Sequence, residues 1–264
     1  MLIFTTDKTR LLEHFRKDTV LFAYHIGDLD DFHFPHCQWG ATYGKSPRID
    51  DVLLLYNGLQ VPTVLAFGLT DKFTGLLHDF MAVAPNHFHC HFQPQYRELL
   101  SQYGELRPNG THLKMRLNVD RFAAAAHSRS RNDPAIHCLH VSHEKELRRL
   151  YAEAYPDNYF HARMLQTGRY FGYLERGRLV AVSGVHVVSD EHRIAVLGNI
   201  TTHPDWRGRG LAALLTGRLL SDFVHEGKMV CLNVKADNTP AIACYEKLGF
   251  ERVHEYEEAF VTLR

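Results

Sequence analysis

The sequence predicts a mixed α/β fold in two domains, and three observations carry that prediction. Helix-period and strand-period segments alternate along the whole chain. A glycine-rich turn joins a strand directly to a helix at residues 207–211. The order of three strands, helix, strand, helix, strand occurs twice, which suggests an internal duplication although residue identity between the halves is low. Each domain is expected to be a mixed, mostly antiparallel sheet flanked by helices. The 264 residues are 45% hydrophobic, enough to fill two cores of ordinary size.

In the first half, 38–43, 51–56 and 61–68 are strand candidates, separated by turn chemistry at 44–47 and at Asn57-Gly58. A helix from 70 to about 81 follows, then a strand over 87–92, a helix over 94–103 ended by Gly104, and a strand over 111–118. Residues 120–135, DRFAAAAHSRSRNDPA, have no apolar period and end in Asp-Pro, the composition of a solvated linker. The expected division is therefore domain 1–120, linker 121–135 and domain 136–264. Downstream, 142–154 has helical spacing, and 170–175, 178–188 and 193–202 are strand runs joined by hairpin chemistry at 175–178 and 189–192. Leu211, Leu214, Leu215, Leu219 and Phe223 form one stripe of a helix closed by Gly227. A strand at 229–236, a helix opened by Thr239-Pro240 and ended by Gly249, and a final strand at 250–263 complete the order. With proline at the first helical position, threonine takes the cap and Asn238 is left for a ligand.

Composition excludes several classes of function. Thirty basic residues balance thirty acidic ones, so bulk charge gives no basic face for nucleic acid and no pull toward an anionic membrane. No apolar run reaches the eighteen residues of a bilayer span, and the start, MLIFTTDKTRLLEHF, has no signal-peptide core. Five cysteines without a CxxC pair give no disulfide or zinc framework. A cytoplasmic protein is expected.

The chemistry is concentrated between residues 193 and 250. Arg207-Gly208-Arg209-Gly210-Leu211-Ala212 follows a strand and opens a helix, the layout that cradles phosphate: glycines let the backbone approach, and the helix start offers unpaired N–H groups. It is neither GxxxxGK[ST] nor GxGxxG. These features alone reach only a phosphorylated ligand, with a plain glycine-rich turn as the competing reading.

RGRGLA at 207–212 matches the [Q/R]-x-x-G-x-[G/A] pyrophosphate loop of the GNAT acyl-CoA-dependent N-acyltransferases. NITTHPDW at 199–206 and NTPAIACYEKLGF at 238–250 are similar to the segments before and after that loop, and the resemblance covers about residues 136–264. It implies that backbone groups of Ile200, Thr201 and Thr202 pair with the pantetheine arm of acetyl-CoA or another short acyl-CoA. It further implies that the backbone N–H groups of Arg207, Gly208, Arg209, Gly210, Leu211 and Ala212 hold the pyrophosphate. Asn238 would bond cofactor or substrate, and Tyr245 would protonate the departing thiolate. An ordinary core tyrosine and a plain turn asparagine are the competing readings of the last two.

The implied activity is transfer of acetyl to a primary amine of a small molecule or peptide by direct attack, without a covalent enzyme intermediate. The alternative is a non-catalytic acyl-CoA-binding or sensing module. Many family members place a glutamate on the fourth strand; here Ile194 stands at about that position. His186, Glu191, His192 and His203 are the nearby titratable groups, and His186 is the candidate base, with a structural histidine as the competing reading. The amino-terminal half has GLTDKF at 68–73 where the loop would fall, and Asp71 would repel a pyrophosphate. It resembles a degenerate GNAT-like domain, as in tandem proteins similar to glycine N-acyltransferases. Of nineteen histidines, His87, His89 and His91 alternate on one strand. No metal is expected there: side chains two apart on a strand rarely converge, and no carboxylate stands beside them at a diagnostic spacing.

Overall fold

The computed structural model describes residues 1–44, 48–124 and 133–264. Most of the expected linker and the turn at 45–47 lie outside the described residues.

The elements in chain order are β1 (Ile3–Thr5), α1 (Lys8–Phe15), α2 (Ala23–Asp28), β2 (Cys37–Tyr43), β3 (Ile49–Tyr56), β4 (Thr63–Ala66), α3 (Phe73–Met81), β5 (His87–Phe92), α4 (Arg97–Tyr103) and β6 (Gly104–Leu117). After them come α5 (Val119–Ala124), β7 (Ile136–Cys138), α6 (Glu144–Ala154), β8 (Phe171–Glu175), β9 (Arg178–Ser189), β10 (Ile194–Thr202), α7 (Leu211–His225), β11 (Met229–Lys235), α8 (Thr239–Lys247) and β12 (Phe250–Leu263). The mixed α/β class predicted from the sequence holds.

The chain forms two compact units. The first comprises Met1–Lys114, Lys235–Asp237 and Val253–Arg264; the second comprises Met115–Val234 and Asn238–Arg252. These do not follow the linear division at 120 and 136. The last strand explains the difference: Glu257 to Thr262 of β12 pair antiparallel with Phe92 to His87 of β5. The chain's end thus completes the sheet of its beginning.

In the first unit the strand order is β1-β2-β3-β4-β5-β12-β6, antiparallel except where β4 and β5 run parallel. Parallel neighbours need a crossover, and α3 provides it. Phe73, Leu76, Leu77 and Phe80 of α3 pack with Phe88, Cys90 and Phe92 of β5 in one buried core. Gly104 starts β6 because a Cβ there would overlap the backbone of Thr262.

The second unit repeats the plan in the order β11-β10-β9-β8-β7, with α7 crossing between the parallel strands β10 and β11. Leu215, Leu219 and Phe223 form its fully buried inner stripe. Arg176 (φ 48°) and Gly177 (φ 77°) are both left-handed, as a two-residue hairpin between β8 and β9 requires. Gly227 (φ 67°) ends α7 in the same conformation.

Candidate functional site

The site of interest lies in the second unit, where β10 and β11 part. They pair from Ile194–Met229 to Leu197–Leu232 and no further. Two irregularities in the β9–β10 register account for the divergence. His186 is an extra residue between the pairs Leu197–Val185 and Val196–Val187, and β10 shifts again between Gly198 and Thr201. At the second irregularity Asn199 takes a left-handed conformation, φ 55°.

A buried network holds Asn199 in this unusual backbone state. The Tyr151 hydroxyl donates to its carbonyl at 2.8 Å, and its Nδ2 donates to the Tyr170 hydroxyl at 3.0 Å. That hydroxyl donates in turn to the Val185 carbonyl at 2.8 Å. Sequence reasoning passed over Asn199, Tyr151 and Tyr170. The available signal was Gly198-Asn199 inside a strand, a pairing that marks a bulge.

Three buried polar atoms on the parted stretches have no hydrogen-bond partner among the described residues: Asn199 Oδ1, Thr202 Oγ1 and Asn233 Nδ2. Native interiors rarely leave such groups unsatisfied, and a polar ligand is one way of meeting them. On the β10 edge itself, the His203 N–H bonds the Val180 carbonyl on β9 at 2.8 Å. By the alternation of an antiparallel ladder, Thr201 also turns its backbone toward β9, while Ile200 and Thr202 turn theirs away. The carbonyl of Thr202 accepts from Arg207 Nε at 3.1 Å.

The loop at 207–210 then leads into α7. Gly208 (φ 77°) and Gly210 (φ 76°) are left-handed, and a Cβ on either would point into open space. Gly210 is the N-cap and brings no side chain to the first turn, so the opening N–H groups of α7 are left for another acceptor. The helix dipole favours an anion there. Both arginines are occupied in shaping the loop. Arg207 reaches the carbonyls of Thr202 and Ala154, and Arg209 lies 4.2 Å over the Trp206 ring and bonds the Asp205 carbonyl. The Arg207 N–H is also taken, by the Pro204 carbonyl at 3.2 Å, so the available donors begin after it.

Other expected residues have different places. Asn238, not Thr239, is the N-cap of α8: its Oδ1 accepts from the Ala241 N–H at 3.2 Å. The helix starts one residue earlier than its proline suggests, with Pro240 in the second position, and this commits the asparagine to the helix. Tyr245 on α8 is buried at 8% exposure, packs edge-on against Phe250 at 6.0 Å, and has no hydrogen-bond partner for its hydroxyl among the described residues. Burial drives its phenol far toward the protonated form.

Among the candidate bases, His203 has both ring nitrogens engaged. Nδ1 accepts from the Asp205 N–H, and Nε2 lies 3.2 Å from Glu153. Glu191 and His192 lie in the β9–β10 turn, at the opposite end of β10 from the parting. Ile194 is also at that end, paired with Met229 and Ser189. His186 is different. Its ring covers Gly198, the first β10 residue beyond the β11 pairing.

Residues 136–250 match the model of the Acetyltransferase (GNAT) family. They are a GNAT acetyltransferase domain. The chain is also 37% identical over 81 residues to the [ribosomal protein bS18]-alanine N-acetyltransferase of Escherichia coli K12, covering 30% of this chain and 53% of that protein. It therefore spans about half the length of the curated relatives it matches. Two solved structures extend the likeness in fold to nearly the whole chain. A Drosophila protein is 14% identical with a TM-score of 0.74, covering 99% of this chain and 98% of that one. A tandem GNAT protein from the clavulanic acid biosynthesis pathway is 14% identical with a TM-score of 0.61, covering 98% of each chain. The GNAT domain thus contains the open strand edge, the left-handed glycines and the uncapped start of α7.

The first unit differs at the matching turn. After β4 the N–H groups of Leu69 and Thr70 both donate to Asp51 Oδ1, at 2.8 and 3.3 Å, and the Thr70 hydroxyl bonds Oδ2 of the same carboxylate. Asp51 is fully buried. The carboxylate at this turn is therefore supplied by β3 rather than by Asp71, which is exposed.

Among the described residues, no helix is long and apolar enough to cross a membrane.

Proposed function

We propose that the GNAT domain of this chain is an acyl-CoA-dependent N-acyltransferase that moves an acetyl group from acetyl-CoA to a primary amine. The observation that carries this reading is the conjunction of the 207–210 loop with the parted strands: an anion site at the start of α7 adjoins an unpaired strand edge. The N–H groups from Gly208 to Ala212 would hold the pyrophosphate, and the edge of Ile200 and Thr202 would hold the pantetheine arm. The amine attacks the thioester carbonyl directly. Its proton passes toward His186, and the Tyr245 hydroxyl, kept protonated by burial, supplies one to the CoA sulfur as the C–S bond breaks. Cys244 is not needed as a nucleophile, and burial pushes its thiol away from the reactive thiolate.

The relative that acetylates an alanine of a ribosomal protein places peptide amino termini among the acceptors to try. Small-molecule amines are the other class. The experiment is a panel of amines and short peptides assayed by thiol release with acetyl-CoA and longer acyl-CoAs. Release with at least one acceptor supports transfer. Saturable acetyl-CoA binding without release from any acceptor would favour a sensing module.

A further inference from the structure

The histidine strand β5 does not stand alone. His91 pairs directly with Glu258 on β12, and β12 lies between β5 and β6 in the first unit. Residues two apart on a strand share a face, so His89, His91 and Glu258 face the same way. His112 on β6 joins them. His89 Nε2 is 3.3 Å and His112 Nε2 is 3.6 Å from Glu258 Oε2, while His91 Nε2 is 3.5 Å from Oε1. The cluster is buried: His89 is 1%, Glu258 5% and His112 7% exposed. The carboxylate beside the histidines was invisible in the sequence because it stands far along the chain.

The carboxylate at the centre of this cluster is held in place from outside it. Glu258 already accepts two well-formed bonds, from the Tyr256 hydroxyl at 2.8 Å and from Asn109 Nδ2 at 2.9 Å. The three imidazole nitrogens approach it more loosely, at 3.3, 3.5 and 3.6 Å. Those separations are close to the edge of a tetrahedron around zinc. With metal–ligand bonds of about 2.0–2.1 Å, ligand atoms stand roughly 3.3–3.4 Å apart. Donor atoms of His89, His91 and Glu258 all lie within 4.8 Å of one another. Tyr256 and Asn109 fix the carboxylate as outer partners fix a metal ligand.

We propose that the face of β5, β12 and β6 in the first unit is a binding site for a zinc-like divalent cation, with His89, His91 and Glu258 as ligands and His112 as the fourth donor. The bound ion would tie together three strands, one of them the chain's last. The site is independent of the acyltransfer reading.

The test uses the full-length protein, stripped with chelator and dialysed. Zinc is titrated against a chromophoric competitor, and cobalt is added separately for its visible spectrum. The expected result is one tight zinc per chain, the intense absorption of tetrahedral cobalt, and a zinc-dependent rise in melting temperature. His91→Gln and Glu258→Gln should each weaken zinc at least tenfold and abolish the cobalt band. His140→Gln, at an exposed position elsewhere, should change neither. Far-UV circular dichroism establishes that the variants fold, and His91→Gln, at a less buried position, serves if Glu258→Gln does not. The proposal is overturned if the wild-type chain takes up no stoichiometric zinc, or if a folded variant retains wild-type affinity and so places the ion on other histidines.

Discussion

His186 and Gly198 are locked together across β9 and β10: a methyl group on Gly198 would overlap Cδ2 and Nε2 of the imidazole. The bulge that makes His186 an extra residue therefore also places its ring over the first residue of β10 released from β11.

This contact makes Gly198 a means of moving the proposed base, His186, without deleting it. Gly198→Ala should evict the ring and lower kcat toward the level of His186→Ala, a loss on the order of 10²-fold for general base catalysis. The double variant should be little worse than the poorer single one, because both changes remove one interaction. Steady-state kinetics at saturating acetyl-CoA measures this. Full turnover in folded His186→Ala would assign proton removal to another group.

Tyr245→Phe keeps the ring packed on Phe250 and removes only the hydroxyl. The expected result is a fall in kcat of roughly 10²–10⁴-fold with acetyl-CoA affinity nearly unchanged. Single-turnover rates paired with equilibrium binding separate the two. An unchanged chemical step would leave Tyr245 as a core aromatic.

Asn238→Ala should act on stability rather than on cofactor affinity. Loss of the Oδ1 bond to the Ala241 N–H removes an N-cap, costing about 0.5–2 kcal/mol. Denaturant unfolding should register that loss, while acetyl-CoA binding to the folded variant stays within about twofold of wild type. A large loss of affinity at full stability would return Asn238 to the ligand.

Local chemistry was legible in the sequence, and long-range register was not. Arg176-Gly177, Gly227 and the 207–210 loop announce their backbone states through residue type, since left-handed conformations favour glycine. The stripe of Leu215, Leu219 and Phe223 likewise marks α7 in the sequence. The cap of α8 was misplaced by one residue because Asn238 and Thr239 are both good caps and only the geometry decides between them. Glu258 beside His91, Asp51 on the Leu69 and Thr70 amides, and β12 beside β5 depend on which strands pair. No spacing within one segment encodes those pairings.

On the proposed reading, the two turns after the parallel-paired strands β4 and β10 set the number of cofactor sites. In the first unit the buried Asp51 already occupies the amides that an anion would need. In the second, Gly210 leaves them open. Calorimetric titration of the intact chain with acetyl-CoA is the most direct test of the account. It predicts one equivalent per chain, and none for folded Gly210→Val, in which a β-branched residue would have to hold φ near 76°. Two equivalents per chain, no binding to the wild type, or undiminished binding by the valine variant would contradict it.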